Sequence, residues 1–156
     1  MAQRTLKQWF DQYGESHQHK TNKLIHWICV PSIFFSIVCL LYLVPVAGSL
    51  NLASISMMFA TFFYIRLSSR LAAGLLFFYL LCYAGAYLLS TLSVPLWKIA
   101  VAIFVVAWIG QFWGHKIEGK KPSFIQDLQF LLIGPAWLLG FVYHKLGISL
   151  RNGSDA

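Results

Sequence analysis

Five apolar runs without Asp, Glu, Arg or Lys constrain the fold of this sequence more than any other feature. They cover residues 27–47, 50–65, 71–97, 99–114 and 128–143. A membrane-spanning helix needs about 20 apolar residues, with a range of about 17–25, so the first and third runs are long enough by themselves. The other three need apolar neighbours, snorkelling ends or a locally thinner bilayer. The sequence therefore predicts four to five membrane spans.

Composition agrees with a membrane class. Apolar residues make up 58% of the 156 residues and charged residues only 11%, whereas soluble domains carry about 25% charged residues. We expect an all-α protein, a polytopic membrane helical bundle that forms one membrane-embedded domain over residues 1–156. Within it, residues 1–26 form an interfacial helix and a His-rich linker, residues 27–144 form the bundle, and residues 145–156 form a polar tail.

The basic residues predict the orientation of this bundle. The net charge is +7, but the cations sit at the ends of apolar runs, which argues against a nucleic-acid partner. With the N-terminus inside, most of them fall on one side, and the exceptions are Lys98, Lys145 and Arg151. That pattern predicts a cytoplasmic N-terminus. The cations on the cytoplasmic side are Arg4, Lys7, Lys20, Lys23, Arg66, Arg70, Lys116, Lys120 and Lys121.

The start of the sequence bears on the membrane in which the bundle resides. The first apolar run follows about two dozen polar residues, so no secretory signal is expected. We expect an integral protein of a bacterial inner membrane, or of the endoplasmic reticulum in a eukaryote. Small residues in the third run favour packing within the chain, and the sequence leaves homo-oligomerisation open.

A short segment before the first run has the pattern of an amphipathic helix. Over residues 5–13, Leu6, Trp9, Phe10 and Tyr13 share one face. Such a helix can rest in the headgroup layer with its apolar side down.

A polar cluster follows the fourth apolar run. Gln111, His115 and Glu118 stand at i, i+4 and i+7, so they share one face of a helix. A site built from an amide, an imidazole and a carboxylate is one interpretation. The other is an ordinary helix end with a solvated Glu118 and an interfacial Trp113.

A second cluster of histidines precedes the first apolar run. On a helix, Asn22 and His26 lie one turn apart, and extending that helix backwards adds His19. His17 joins His26 only if the chain bends between them, and an N-cap at Thr21 or Asn22 would supply the break. The alternative is a polar linker with incidental histidines.

The predicted topology brings these two clusters to one face of the membrane. His17, His19 and His26 would meet His115 from a segment about 90 residues later. Imidazoles without thiolates suit Fe, Zn, Cu or Ni. Glu118 could be a ligand or could orient one. The amides of Asn22 and Gln111 could fix imidazole tautomers by hydrogen bonds.

His144 follows the last apolar run, and its position depends on that run. If the run crosses the membrane, His144 lies opposite the other histidines. If Gly134-Pro135 turns the chain back, His144 rejoins them.

Motifs of other enzyme classes are missing from the sequence. No Ser-His-Asp set, phosphate-cradling glycine loop or dinucleotide fingerprint is visible. The cysteines at positions 29, 39 and 82 lie inside apolar runs without CxxC spacing, which predicts inert buried thiols.

Residues of the two clusters, together with two prolines and a glycine near them, form one pattern that covers nearly the whole chain. The pattern is Tyr13, His17, Asn22, His26 and Pro31, then Gln111-Phe112-x-Gly114-His115-x-x-Glu118, and Pro122. It resembles a known family, the small membrane-bound 2-hydroxy fatty acid dioxygenases of fungi and bacteria. The resemblance implies a polytopic, iron(II)-dependent protein that converts a long-chain 2-hydroxy fatty acid and O2 to a fatty acid one carbon shorter.

The resemblance implies roles for individual residues. His17, His26 and His115 would be the iron ligands, with Glu118 and Asn22 close to the site. His19 and His144 are further candidate ligands, the second only if the last helix is broken. The sequence departs from the family pattern after Pro122, where Ser123-Phe124 replaces the expected Ala-Leu.

A different class of protein fits part of the same pattern. A non-enzymatic membrane protein that binds or transports a metal through its histidines would bind metal without turnover. It would prefer ionisable groups near the middle of the spans, which are nearly absent here. A purely structural scaffold leaves the converging histidines unexplained.

Overall fold

The computed structural model describes residues 5–15, 17–119 and 130–150, and this part of the chain is mostly helical, as predicted. Arg4, the 120–124 segment and residues 151–156 of the predicted tail, which include Arg151, lie outside the described residues. The described helices are α1 (Leu6–Gly14), α2 (Lys20–Tyr42), α3 (Leu52–Leu67), α4 (Ser69–Ser90), α5 (Leu96–Glu118) and α6 (Ile133–Lys145). A small antiparallel hairpin of β1 (Pro45–Ala47) and β2 (Leu50–Asn51) joins α2 to α3.

Three of the described helices are long and apolar enough to cross a membrane. They are α2 with 23 residues, α4 with 22 and α5 with 23. The α3 helix has 16 residues and α6 has 13, so both fall below the length of an ordinary span.

The bundle has two distinct ends. At one end, which we call the hairpin end, Cys39 of α2 packs with Ala86 of α4 and with Leu96 of α5. At the other, which we call the histidine end, Glu118 at the end of α5 contacts the residues that begin α2. Helix α3 returns the chain to the histidine end, and Ser68 directly after it caps the start of α4.

Helices α2 and α5 form a closely packed antiparallel pair, and two glycines make the close approach possible. A Cβ atom on Gly110 would lie 2.5 Å from Cys29 Sγ, and one on Gly114 would overlap Asn22 Oδ1. Small residues at such a contact let helix backbones approach closely in lipid. Gly110 and Gly114 stand four residues apart on the face of α5 that contacts α2. Asn22 and His26 therefore lie against the polar end of α5.

Helix α6 begins, rather than breaks, at Gly134-Pro135. Pro135 lies in the first turn of α6. Backbone N–H groups there have no partner within the helix, so the N–H that proline lacks removes no helical hydrogen bond. At the other end of α6, Tyr143 Oη donates to the carbonyl of Arg70 over 2.9 Å, and Arg70 Nη1 donates to Ser149 O over 2.7 Å. Because Arg70 begins α4, the C-terminal end of α6 lies at the histidine end.

Helix α1 begins at a capping box and packs on α6. Thr5 accepts from Gln8 N, and the Gln8 side chain accepts from Thr5 N. A Cβ on Gly140 would lie 2.8 Å from the Phe10 ring, and one on Gly134 would lie 3.2 Å from Tyr13 Oη. The glycines of α6 therefore provide the space that α1 occupies. That α1 rests in the headgroup layer stays a prediction.

Candidate metal centre

Three histidines from separate parts of the chain meet at the histidine end of the bundle. His17, His26 and His115 are all buried, and each offers a ring nitrogen within 4.8 Å of the others. The ring centroids lie 4.2 Å apart for His17 and His26, 5.1 Å for His26 and His115, and 5.5 Å for His17 and His115. These side chains converge on one small volume, as three ligands of a single ion do.

Each histidine is positioned by a different local structure. His17 lies in the link between α1 and α2, His26 about two turns into α2, and His115 in the last turn of α5. The break that lets His17 fold back is present, but its N-cap is His19 and not Thr21 or Asn22 as the sequence predicted. His19 accepts the cap bond through Nδ1 from Thr21 N over 3.2 Å. Glu118, which lies 99 residues away in sequence, also bonds His19 N at that point and so favours this start of α2.

Backbone carbonyls fix the tautomers of two of the rings. His17 Nδ1 donates to Tyr13 O over 2.6 Å, and His26 Nδ1 donates to Asn22 O over 2.9 Å. Because a carbonyl oxygen only accepts, Nδ1 carries the proton in both rings and Nε2 carries the lone pair. Histidines that bind metals generally donate their other ring N–H in this way.

Glu118 holds the link that carries His17 against the end of α5. Its carboxylate accepts from Gln18 N over 2.7 Å, from His19 N over 2.9 Å and from Asn22 Nδ2 over 2.9 Å. A carboxylate at the N-terminus of α2 also interacts favourably with the helix dipole. Asn22 in turn accepts from His26, so a chain of hydrogen bonds runs from Glu118 to the cluster. Among the residues described, the Glu118 carboxylate is not one of the groups that converge as possible metal ligands.

Aromatic side chains cover one side of the cluster. The Tyr13 ring stacks on His17 with a centroid distance of 4.2 Å and an interplanar angle of 9°. The Trp137 ring lies 5.5 Å from His17 and 5.2 Å from Tyr13. Trp137 was not predicted from the sequence, because no local pattern relates a residue of α6 to the segment between α1 and α2, more than 100 positions earlier.

A narrow cavity adjoins the cluster. It runs between α2, α5 and the start of α6 and is open on one side. Gln111, one turn before His115, lines it together with mostly apolar side chains. The other lining residues are Tyr13, Val30, Ile33, Trp108, Phe130, Leu131 and Gly134.

The remaining two candidate ligands lie elsewhere. His19 is exposed and caps α2, while His144 is exposed near the end of α6. Although α6 returns to the histidine end, neither side chain is among the three that converge.

The donor set suits a borderline transition metal. Imidazoles without a thiolate match Fe(II), Zn(II), Cu(II) or Ni(II) better than Mg(II) or Ca(II), which prefer oxygen ligands. The Nδ1 bonds of His17 and His26 leave the Nε2 atoms available for coordination. The three residues therefore fit an iron ion on the chemistry of the donors.

Long apolar helices and a buried three-histidine cluster define the class, a helical membrane-type protein with a candidate metal centre. Sequence comparison identifies the family. Residues 3–146 match the Mpo1-like family, described as 2-hydroxy-palmitic acid dioxygenase Mpo1-like, and the chain belongs to that family. The 2-hydroxy-palmitic acid dioxygenase MPO1 of Saccharomyces cerevisiae is 33% identical over 141 residues, which cover 89% of this chain and 80% of that protein. No solved structure matches the chain.

Proposed function

We propose that this protein is an iron(II)-dependent dioxygenase that converts a long-chain 2-hydroxy fatty acid and O2 to a fatty acid one carbon shorter. The observation that carries the proposal is the convergence of His17, His26 and His115 in one buried cluster. Its support from comparison is the family, together with the yeast relative, which is a 2-hydroxy-palmitic acid dioxygenase. The sequence-based resemblance implied the same reaction.

The proposed ligands are His17 and His26 through Nε2, together with His115. Bound iron(II) would supply the redox chemistry that a reaction with O2 requires. Tyr13 O and Asn22 O hold the first two rings in the coordinating tautomer. Glu118 and Asn22 keep the His17 link and α2 in place against α5. This set has fewer histidines than the sequence predicted, because His19 and His144 are exposed and are not among the three that converge.

The proposed reaction balances without a further reductant. A 2-hydroxy acid and one O2 contain the atoms of a carboxylic acid one carbon shorter, one CO2 and one water. The C1–C2 bond breaks and C2 becomes the new carboxyl carbon. The buried, largely apolar surroundings of the cluster keep bulk water away from the reacting carbon.

We propose an arrangement of the bundle in the membrane that has four spans. Helix α3 covers about 24 Å, but it connects the hairpin end to the histidine end between two long helices, so it has to cross with them. The α6 helix starts and ends without reaching the hairpin end, so it is not a fifth span. Lys145 then joins the cations of the histidine end, which removes one exception to the charge pattern.

The charge pattern supports a cytoplasmic histidine end. Lys20, Lys23, Arg66, Arg70 and Lys116 all lie there, and Lys98 lies near the hairpin end. An excess of Lys and Arg marks the cytoplasmic side of membrane proteins. The proposed locations are the inner membrane of a bacterium or the endoplasmic reticulum of a eukaryote. We propose one membrane-embedded domain for the whole chain.

The test is turnover by the purified protein. Detergent-solubilised protein is reconstituted anaerobically with iron(II), then mixed with 2-hydroxypalmitic acid labelled at C1 and with O2. The proposal predicts pentadecanoic acid, labelled CO2 and O2 consumption in equal amounts. Palmitic acid and metal-free protein are the controls. Tight metal binding with no shortened acid would instead identify a metal-binding or transport protein and overturn the dioxygenase.

A further inference from the structure

The side-chain amide of Gln111 is a polar group of the cavity wall whose oxygen has no hydrogen-bond partner among the described residues. Gln111 is only 5% exposed, and its Oε1 is fully covered without a hydrogen-bond partner in the described part of the chain. A buried amide oxygen without a donor is unfavourable and calls for an explanation. The sequence pattern predicts that Gln111 fixes an imidazole tautomer, but backbone carbonyls perform that role for His17 and His26.

The position of Gln111 places this amide between the histidines and the apolar part of the cavity. It lies one helical turn before His115, and it shares the cavity with Val30, which lies one turn after His26. Beyond them the wall continues with Ile33 and Trp108, away from the cluster. A ligand whose polar end lies at the histidines and whose chain follows this wall passes Gln111 at its first carbons.

We propose that Gln111 selects 2-hydroxy acids over unsubstituted fatty acids, through a hydrogen bond that its Oε1 accepts from the 2-hydroxyl of the substrate. This inference rests on the proposed function. A 2-hydroxy acid carries a hydroxyl donor and a carboxylate acceptor on neighbouring carbons, and a primary amide carries an acceptor and two N–H donors on one carbon. The hydroxyl satisfies the buried Oε1, and the amide N–H groups face a carboxylate oxygen.

The selectivity arises because an unsubstituted acid cannot donate the hydrogen bond to Gln111 Oε1. Palmitic acid offers the same carboxylate and nearly the same chain, but no hydroxyl donor for Gln111 Oε1. A site built to bond a substrate hydroxyl discriminates strongly against an analogue that lacks it, because a buried polar group then stays unpaired. The largely apolar lining strengthens the effect, because a polar group without a partner is most unfavourable in surroundings of low polarity.

The experiment compares binding of the two acids by metal-free protein, so its readout does not depend on iron or turnover. Radiolabelled 2-hydroxypalmitic acid and palmitic acid are titrated against chelator-treated protein in nanodiscs. Wild type should prefer the 2-hydroxy acid by about tenfold or more. Gln111→Met, which keeps the length of the side chain but removes the amide, should bring the ratio close to one while palmitic acid still binds. Gln111→Asn keeps the amide one methylene further away and should give an intermediate ratio.

The control is Ile109→Met, which places the same new residue on the exposed face of the same helix and should leave the ratio unchanged. A merely structural Gln111 would weaken both acids equally, so an unchanged ratio in Gln111→Met and Gln111→Asn overturns the inference, as does a wild type without preference. Turnover is measured in parallel. If the wild type turns over 2-hydroxypalmitic acid but the variants keep the wild-type ratio of binding for the two acids, only the role of Gln111 is refuted. Preference without turnover supports that role and refutes the dioxygenase.

Discussion

The two ends of the α2–α5 pair differ in the polarity of the side chains that the helices bury against each other. At the hairpin end, Cys39 of α2 packs against Leu96 and Ala100 of α5, so the contact is small and apolar. At the histidine end, the same two helices bury His26 and His115 against each other within a few ångströms. One pair of helices thus carries an apolar contact at one end and a polar one at the other.

The difference indicates where residue identity is constrained by chemistry. An apolar contact accepts other side chains of similar volume with small losses. A buried polar contact in a membrane protein is unfavourable unless each group has a partner, so it is retained where function needs it. At the histidine end, the partners come from the link before α2 and from Glu118. The hairpin end contributes packing, and the histidine end carries the proposed metal site.

The largest effect is expected from His17→Ala. Removing a proposed ligand should lower turnover of 2-hydroxypalmitic acid by more than about 100-fold, because metal sites lose most of their affinity with a ligand. His19→Ala and His144→Ala, which change exposed histidines outside the cluster, should stay within a few-fold of wild type. Steady-state assays at saturating iron(II) compare the three. Equal losses in all of them would contradict the three-histidine assignment.

A smaller effect is expected when the support of the cluster is weakened. Glu118→Gln removes the charge that accepts from Gln18 N, His19 N and Asn22 Nδ2. We expect iron affinity to fall by about 10–100-fold, the usual loss for a group that orients metal ligands. Lys116→Gln changes an exposed charge in the same turn and serves as the control. Competition with a chelator measures both, and an unchanged affinity in Glu118→Gln would show that the carboxylate only caps α2.

The glycines of the two ends should differ in their tolerance of a methyl group. In Gly114→Ala the new Cβ meets Asn22 Oδ1, whose side chain is also bonded to Glu118. We expect a loss of about 1–3 kcal/mol in the free energy of unfolding, as for other overpacked contacts. In Gly85→Ala the Cβ meets the Phe35 ring at 3.0 Å, and that ring can shift. Thermal unfolding in detergent compares the variants, and an equal loss would mean that both ends pack alike.

The smallest effect on function is expected at the hairpin end. Cys39→Ala removes a fully buried thiol from the apolar contact with Ala86 and Ala100. The variant should lose about 1 kcal/mol of stability, as for a small core truncation. Its iron content should equal that of wild type. Loss of iron in this variant would show that the two ends are not independent.

The sequence predicted those parts of the molecule that depend on local geometry. A helix places residues at i, i+4 and i+7 on one face, and Gln111, His115 and Glu118 lie on the single helix α5 accordingly. The break between His17 and His26 also followed from helix geometry. Its N-cap did not, because Glu118 from the other end of the chain bonds the backbone at His19.

The parts that escaped prediction are set by contacts between distant segments. Trp137 reaches His17 only because α6 turns back to the histidine end, and the local signal for that turn, Gly134-Pro135, left two directions open. Gly110 makes room for Cys29 on α2, a contact that needs the register of two helices about 80 residues apart. The tautomer-fixing carbonyls of Tyr13 and Asn22 depend on backbone positions that no residue type specifies.

If the two distant histidine motifs form one iron site, the metal content of purified protein depends on both of them. Elemental analysis after anaerobic reconstitution compares wild type with His26→Ala and His115→Ala, with Cys39→Ala as the folded control. For one shared site, we predict about one iron per wild-type chain and per control chain, and loss of iron in both histidine variants. Iron retained in either histidine variant, or absent from wild type, would contradict the shared site.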